Sequence, residues 1–133
     1  VNMVINTGTA GGIGAGLAIG DLVIADNVAY FDVDATTFGY KIGQVPGMPL
    51  YFESSTYLKS EMLEASKKMN QTAHVGLIVS GDTFVSSPSK IYEIKAAFPD
   101  QDFLPSLSLQ ELLPSQKFYP YLLYSLQQYV QDL

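Results

Sequence analysis

The chain has 133 residues, a net charge of −6, and lysine as its only strongly basic side chain. Phosphate backbones and anionic lipid surfaces are met with clustered Lys and Arg, so this balance argues against nucleic acid and membrane as partners. Zero cysteines exclude disulfides and thiolate metal sites, and 47% hydrophobic against 15% charged residues is the composition of a globular domain rather than a disordered one.

Met3, Val4 and Ile5 form a short apolar run that stops at Asn6, as a buried parallel strand feeding a loop would. The chain therefore opens inside a strand, and a preceding segment is expected. Residues 8–16 are rich in glycine and read as a loop, because glycine costs a helix interior backbone entropy. Leu22, Val23, Ile24 and Ala25 give a second buried strand, and 28–33 a third with poorer alternation. Residues 36–52 read as a loop punctuated by Gly39, Gly43, Pro46, Gly47 and Pro49.

The clearest helix comes next. Ser54, Ser55 and Thr56 supply its cap, Leu58, Met62, Ala65 and Met69 recur at helical spacing, and Asn70 supplies its stop. Residues 75–79 form the strongest strand, ending at Ser80, Gly81 and Asp82. Ser86, Ser87 and Pro88 open a helix over 89–97. Strands alternating with helices predict an α/β fold with a sheet covered on both faces. Beyond residue 100 the character changes: 101–133 holds Pro105, Pro114 and Pro120, no glycine, and four charged residues. Leu122, Leu126, Val130 and Leu133 there fit one amphipathic helix. No apolar run is long enough to span a bilayer and no signal-peptide pattern opens the chain, so a cytoplasmic location is expected.

Ligands in open α/β sheets collect at the carboxyl ends of strands. The first such place is 6–12, where glycines admit a ligand close to the backbone and Thr hydroxyls can bond a sugar or an anion; a plain flexible turn is the alternative. It is neither a dinucleotide fingerprint, since Leu17 stands where the last glycine should, nor a P-loop, since no Gly-Lys-Ser/Thr follows. The second is 80–85, where Phe84 and Val85 can sandwich a flat ring, or Phe84 can simply close the core. His74 has no carboxylate or cysteine neighbour in sequence and reads as a surface residue. Asp32 and Asp34, two apart, would share a face on a strand, the geometry of a carboxylate pair. No Ser-His-Asp, Cys-His or metal-ligand pattern can be assembled.

Residues 4–12, Val-Ile-Asn-Thr-Gly-Thr-Ala-Gly-Gly, resemble the Ile-Asn-Thr-Gly-Ser-Ala-Gly-Gly segment of the bacterial methylthioadenosine/S-adenosylhomocysteine nucleosidases. The Gly-Asp-Leu-Val-Ile run at 20–24, the 30–40 stretch Tyr-Phe-Asp-Val-Asp-Ala-Thr-Thr-Phe-Gly-Tyr, Gly-Gln-Val-Pro-Gly at 43–47 and 76–85 continue the match in family order. It covers residues 1–100, an expected central part of a single nucleosidase domain, and leaves 101–133 as a divergent tail.

The resemblance implies a nucleoside-phosphorylase-like fold, a mixed central sheet flanked by helices, here incomplete. It implies hydrolysis of the bond joining adenine to ribose, without metal or cofactor. Phe84 and Val85 would hold adenine, and the loop with Thr9 and Gly11 would sit near the ribose, with Thr9 in place of the family's more usual Ser. Phe38 and Pro46 would reach across a homodimer interface to line the neighbour's alkylthio pocket. The family's water-orienting Glu, Met-Glu pair and Arg-x-x-Ser-Asp segment are not found in this sequence, so no catalytic residue is assigned and residues 1–133 alone are expected to be inactive. A purine nucleoside phosphorylase and a non-catalytic purine-binding fragment are the alternatives.

The tail has two readings. Residues 111–118 can be written in codons whose shifted frame gives Ala-Ala-Ala-Ile-Ala-Lys-Val, close to the string following the family's Met-Glu pair, which suggests a frame slip. A different C-terminus is the other reading.

Overall fold

The computed structural model describes residues 4–99, 106–108 and 123–129. Two parallel strands organise it: β2 (Leu22–Tyr30) and β4 (Ala73–Ser80), paired from Leu22 opposite Ala73 to Tyr30 opposite Ser80. The sequence pattern puts 22–25 and 28–33 in separate strands, but they are one, ending at Tyr30. The register slips between Ala25 and Asn27. A one-residue slip exchanges the faces of a strand. Val28 thereby joins Val23 and Ala25 in one cluster with Ile78, while Ala29 and Phe31 join Leu77 and Val79 in the other. The poor alternation from residue 28 onward marks this irregularity.

β1 (Val4–Gly12) differs from expectation in three ways. It runs through the glycine segment read as a loop, it is antiparallel to both its partners, and Ile5 is 45% exposed. β6 (Leu123–Tyr129) pairs with it from Val4 to Ala10, and β5 (Ser106–Ser108) from Ala10 to Gly12. Those ladders satisfy the backbone and outweigh glycine's poor strand propensity. β6 also pairs parallel with 22–24 of β2, and β5 parallel with 78–79 of β4, so the mixed sheet closes on itself in the order β2-β4-β5-β1-β6. The short β3 (Phe52–Glu53) pairs with Asn27 and Val28 of β2. The helix expected through Leu126 is replaced by strand β6, because the edges of β1 and β2 offer it a ladder that a helix could not use. Leu122, Val130, Leu133, Met3 and the 111–118 segment lie outside the described residues.

Helix α1 (Thr56–Lys68) is capped by Ser55, whose hydroxyl accepts from the Leu58 amide. It stops where Asn70 turns left-handed at φ 51°, with the Gln71 amide closing onto the Ser66 carbonyl. Lys59 on this helix ion-pairs with Asp26, the residue at the register slip. Helix α2 (Pro88–Ala97) is capped by the Ser87 hydroxyl and opens on Pro88, one residue before the expected start. Ile94 and the fully buried Phe98 bring it onto the Leu77–Val79 face of the sheet. No helix among the described residues is long and apolar enough to cross a membrane.

Candidate functional site

The parallel strands β2 and β4 end side by side, and the loops that leave them are tied to each other. The Phe31 amide donates to the Ser80 carbonyl at 3.0 Å, continuing the ladder one step. The Asp32 carboxylate then accepts the Asp82 amide at 2.6 Å, a short charge-assisted bond across 50 residues of sequence. Between them the chain passes so close that a Cβ on Gly81 would sit 2.6 Å from the Asp32 carboxyl carbon and 2.7 Å from the Phe31 ring. Only glycine fits there.

The loop after β2 holds itself. Asp34 accepts from the Thr36 hydroxyl at 2.7 Å and the Thr36 amide at 3.0 Å, and these bonds, the hydroxyl first, keep its carboxyl below the ordinary range. A 3-10 turn over Thr36–Phe38 comes next, closed by Gly39 at φ 84°. Gly43, at φ 86°, donates its amide to the Val33 carbonyl at 2.8 Å, and a Cβ there would lie 2.1 Å from the Tyr30 carbonyl oxygen. Asp32 and Asp34 therefore do not form the carboxylate pair that strand spacing suggests. They lie beyond the end of β2, one serving the β4 loop and the other its own turn.

The sheet register carries the glycine strand to the same place. Gly11 is opposite Leu107, Leu107 opposite Val79, and Val79 opposite Ala29, one row across four strands. The backbone of Gly11 thus lies at the level where β2 and β4 end, and Thr9, two residues before it in β1, pairs instead with Tyr124 of β6. Phe84 does not close the core: it is 55% exposed, while Val85 packs half-buried against the cluster of Ala29, Phe31, Leu77 and Val79. Phe38 is 79% exposed, and Pro46 lies exposed further along the same loop.

His74 departs from expectation. It lies inside β4 at the opposite end of the sheet, with Nε2 2.9 Å from a carboxylate oxygen of Asp21. Asp21, one of two buried polar residues among those described, also accepts the Ala18 amide at 2.9 Å. That bond, helped by the His74 contact, keeps its carboxyl below the ordinary range against the opposing effect of burial. Proximity in sequence could not reveal the pair, because its members are 53 residues apart. The same holds for Asp32 and Asp82, whose only trace in the sequence is that each comes after an apolar strand. No cluster of three or more acidic or His side chains suited to a metal ion occurs among the described residues.

This assembly of strand ends, a self-held loop and a glycine strand has close counterparts. Residues 1–102 match the family model of the phosphorylase superfamily. The chain belongs to that superfamily. It is 48% identical over 99 residues to the 5'-methylthioadenosine/S-adenosylhomocysteine nucleosidase of Staphylococcus aureus strain MRSA252, covering 74% of this chain and 43% of that protein. Its fold matches the nucleosidase of Neisseria meningitidis in complex with methylthio-immucillin-A, with a TM-score of 0.73, 34% identity, and 91% and 52% of the two chains covered. It also matches the S-adenosylhomocysteine nucleosidase of Streptococcus pyogenes in complex with 5-methylthiotubericidin, with a TM-score of 0.70, 36% identity, and 90% and 50% covered. The mixed sheet flanked by helices is thus the nucleoside-phosphorylase-like fold, and the chain spans about half the length of these relatives.

Proposed function

We propose that residues 1–100 are the central part of a nucleosidase domain whose complete form hydrolyses the N-glycosidic bond of methylthioadenosine and S-adenosylhomocysteine, releasing adenine in the cytoplasm as a step of methionine salvage. The 48% identity to the staphylococcal nucleosidase carries this reading, because it extends over 99 residues, 74% of the chain, and the family match over 1–102 includes the ends of β2 and β4. The exposure of Phe84 supports it further: an aromatic ring withheld from the core beside a row of strand ends leaves a flat apolar face open to a ligand.

In this reading Phe84 and Val85 hold adenine, and the backbone around Thr9 and Gly11 faces the ribose. Phe38 and Pro46 reach the alkylthio pocket of a second copy in a homodimer, which gives the exposed Phe38 ring a place to be buried. Breaking the glycosidic bond builds negative charge on the purine and positive charge on the ribose. The reaction therefore needs an acid for the base, a carboxylate for the sugar and a positioned water. None of these roles is assigned within residues 1–133, and 101–133 is proposed to be a tail that departs from the family.

The test is adenine release from methylthioadenosine, measured with and without phosphate, for the complete protein and for residues 1–133 alone. The complete protein is expected to release adenine equally in both, and the shorter chain to be at least about 10²-fold slower, the scale of a missing general acid. A phosphate requirement would make the protein a phosphorylase. Turnover by residues 1–133 within about tenfold of the complete protein would mean that Asp32, Asp34 or Asp82 does chemistry.

A further inference from the structure

We propose that Asp32 is a positioning residue for the base-binding segment 81–85, an inference that rests on the function proposed above. Segment 81–85 leaves β4 at Ser80 and has to hold Phe84 outside the core while Val85 packs into it. At the root of this segment the Asp82 amide donates to the Asp32 carboxylate at 2.6 Å, tying it to a side chain from the neighbouring strand end. The fit of Gly81 against the same carboxyl group and the Phe31 ring sets the height at which the segment crosses the end of β2. Phe31 is buried and its amide is bonded to Ser80, so Asp32 stands on a fixed base. The Asp82 side chain is exposed, so its charge is screened by solvent. Asp32 touches no base in this arrangement. It fixes the backbone two residues before the ring that does.

A backbone amide held by an ionised oxygen is a stronger bond than one held by a neutral carbonyl. Losing the acceptor altogether frees the segment without opening a cavity, because Asp32 is itself exposed. The experiment uses the 133-residue chain and its Asp32→Ala and Asp32→Asn variants. Three quantities are measured: hydrogen exchange at the Asp82 amide, adenine affinity by titration, and the melting temperature. Asp32→Ala is expected to speed exchange at Asp82 and to weaken adenine binding, each by about tenfold, the size expected for a hydrogen bond to a charged group. The melting temperature is expected to stay within about 3 °C. Asp32→Asn, which keeps a carbonyl acceptor, is expected to restore both to within about threefold of wild type.

Unchanged exchange or unchanged adenine affinity in Asp32→Ala would overturn the proposal. So would a large fall in melting temperature shared by both variants with adenine affinity retained, since that is the mark of a merely structural residue. If the wild-type chain bound no adenine and the complete protein released none, the functional reading would fall. The exchange rate at Asp82 would then still decide whether Asp32 holds the segment.

Discussion

The paired strands β2 and β4 begin and end beside an aspartate, and the two ends are built on different plans. At the amino end Asp21 is buried, bonded to the Ala18 amide and to His74, and Gln71 donates to the Gly20 carbonyl at 2.6 Å. Its polar groups answer one another. At the carboxyl end Asp32 is exposed and anchors a loop that displays an aromatic ring to solvent, while the loop after β2 displays another. Stability is gained where polar groups are satisfied internally, and binding capacity is kept where apolar surface is left uncovered. In the proposed function the same two strands do both, at opposite ends.

The comparison breaks most sharply at Gly43, which holds the carboxyl-end loop against β2. Its φ of 86° lies in the region that favours glycine, and a Cβ would meet the Tyr30 carbonyl at 2.1 Å and the Phe98 ring at 3.0 Å. Neither the backbone nor the fully buried Phe98 can easily give way. Gly43→Ala is expected to destabilise the chain by about 3 kcal/mol or more, a combined cost of backbone strain and overpacking. Urea denaturation of the two proteins checks this. A loss under about 1 kcal/mol would show that the loop end moves freely.

Much of this is legible in the sequence, and the unread parts share a cause. The caps of both helices, the stop at Asn70 and the strand over 75–79 come from local chemistry, and local chemistry is enough to find them. The glycine strand is not legible, because its conformation comes from β5 and β6, which lie more than ninety positions away in the chain. Leu126 sits in a strand for the same reason: the edges of β1 and β2 overrule a helical spacing of leucines. The proposed site divides likewise. Phe84, Val85, Gly11 and Phe38 are proposed through resemblance, whereas the bonds of Asp32 to Asp82 and of Asp21 to His74 exist only once β2 and β4 are in register.

An intermediate effect is expected at Phe84. If its ring serves the base rather than the core, Phe84→Ala in the complete protein should raise KM for methylthioadenosine and leave the melting temperature nearly unchanged. Stacking a base on an aromatic side chain is worth about 1–3 kcal/mol, which corresponds to roughly tenfold or more in affinity. A drop in melting temperature with KM unchanged would move Phe84 from the site to the core and erase the contrast between the two ends.

The smallest effect belongs to the amino end and depends on pH. The folded state holds the Asp21 carboxyl below its ordinary value of 3.8, chiefly through the Ala18 amide, with help from the His74 contact. A group with a depressed folded pKa stabilises the protein above its unfolded pKa, and that contribution is lost as pH falls through the folded one. The loss should thus begin near pH 3.8 and be complete somewhat below it. Asp21→Asn keeps an oxygen for the Ala18 amide but carries no charge at any pH, so it imitates the protonated aspartate. At pH 6 it should be less stable than wild type by about 0.5–1.5 kcal/mol, the net worth of one partly buried hydrogen bond. At a pH well below the ordinary carboxylate range the gap should narrow, because the wild-type carboxylate then takes up its proton. Asp34, also depressed but fully exposed, titrates in both proteins and cancels from the difference. Denaturation curves at the two pH values supply all four numbers. A gap between the proteins that stayed the same at both would mean that the charge on Asp21 does nothing for the fold, and that the amino end is held by packing alone.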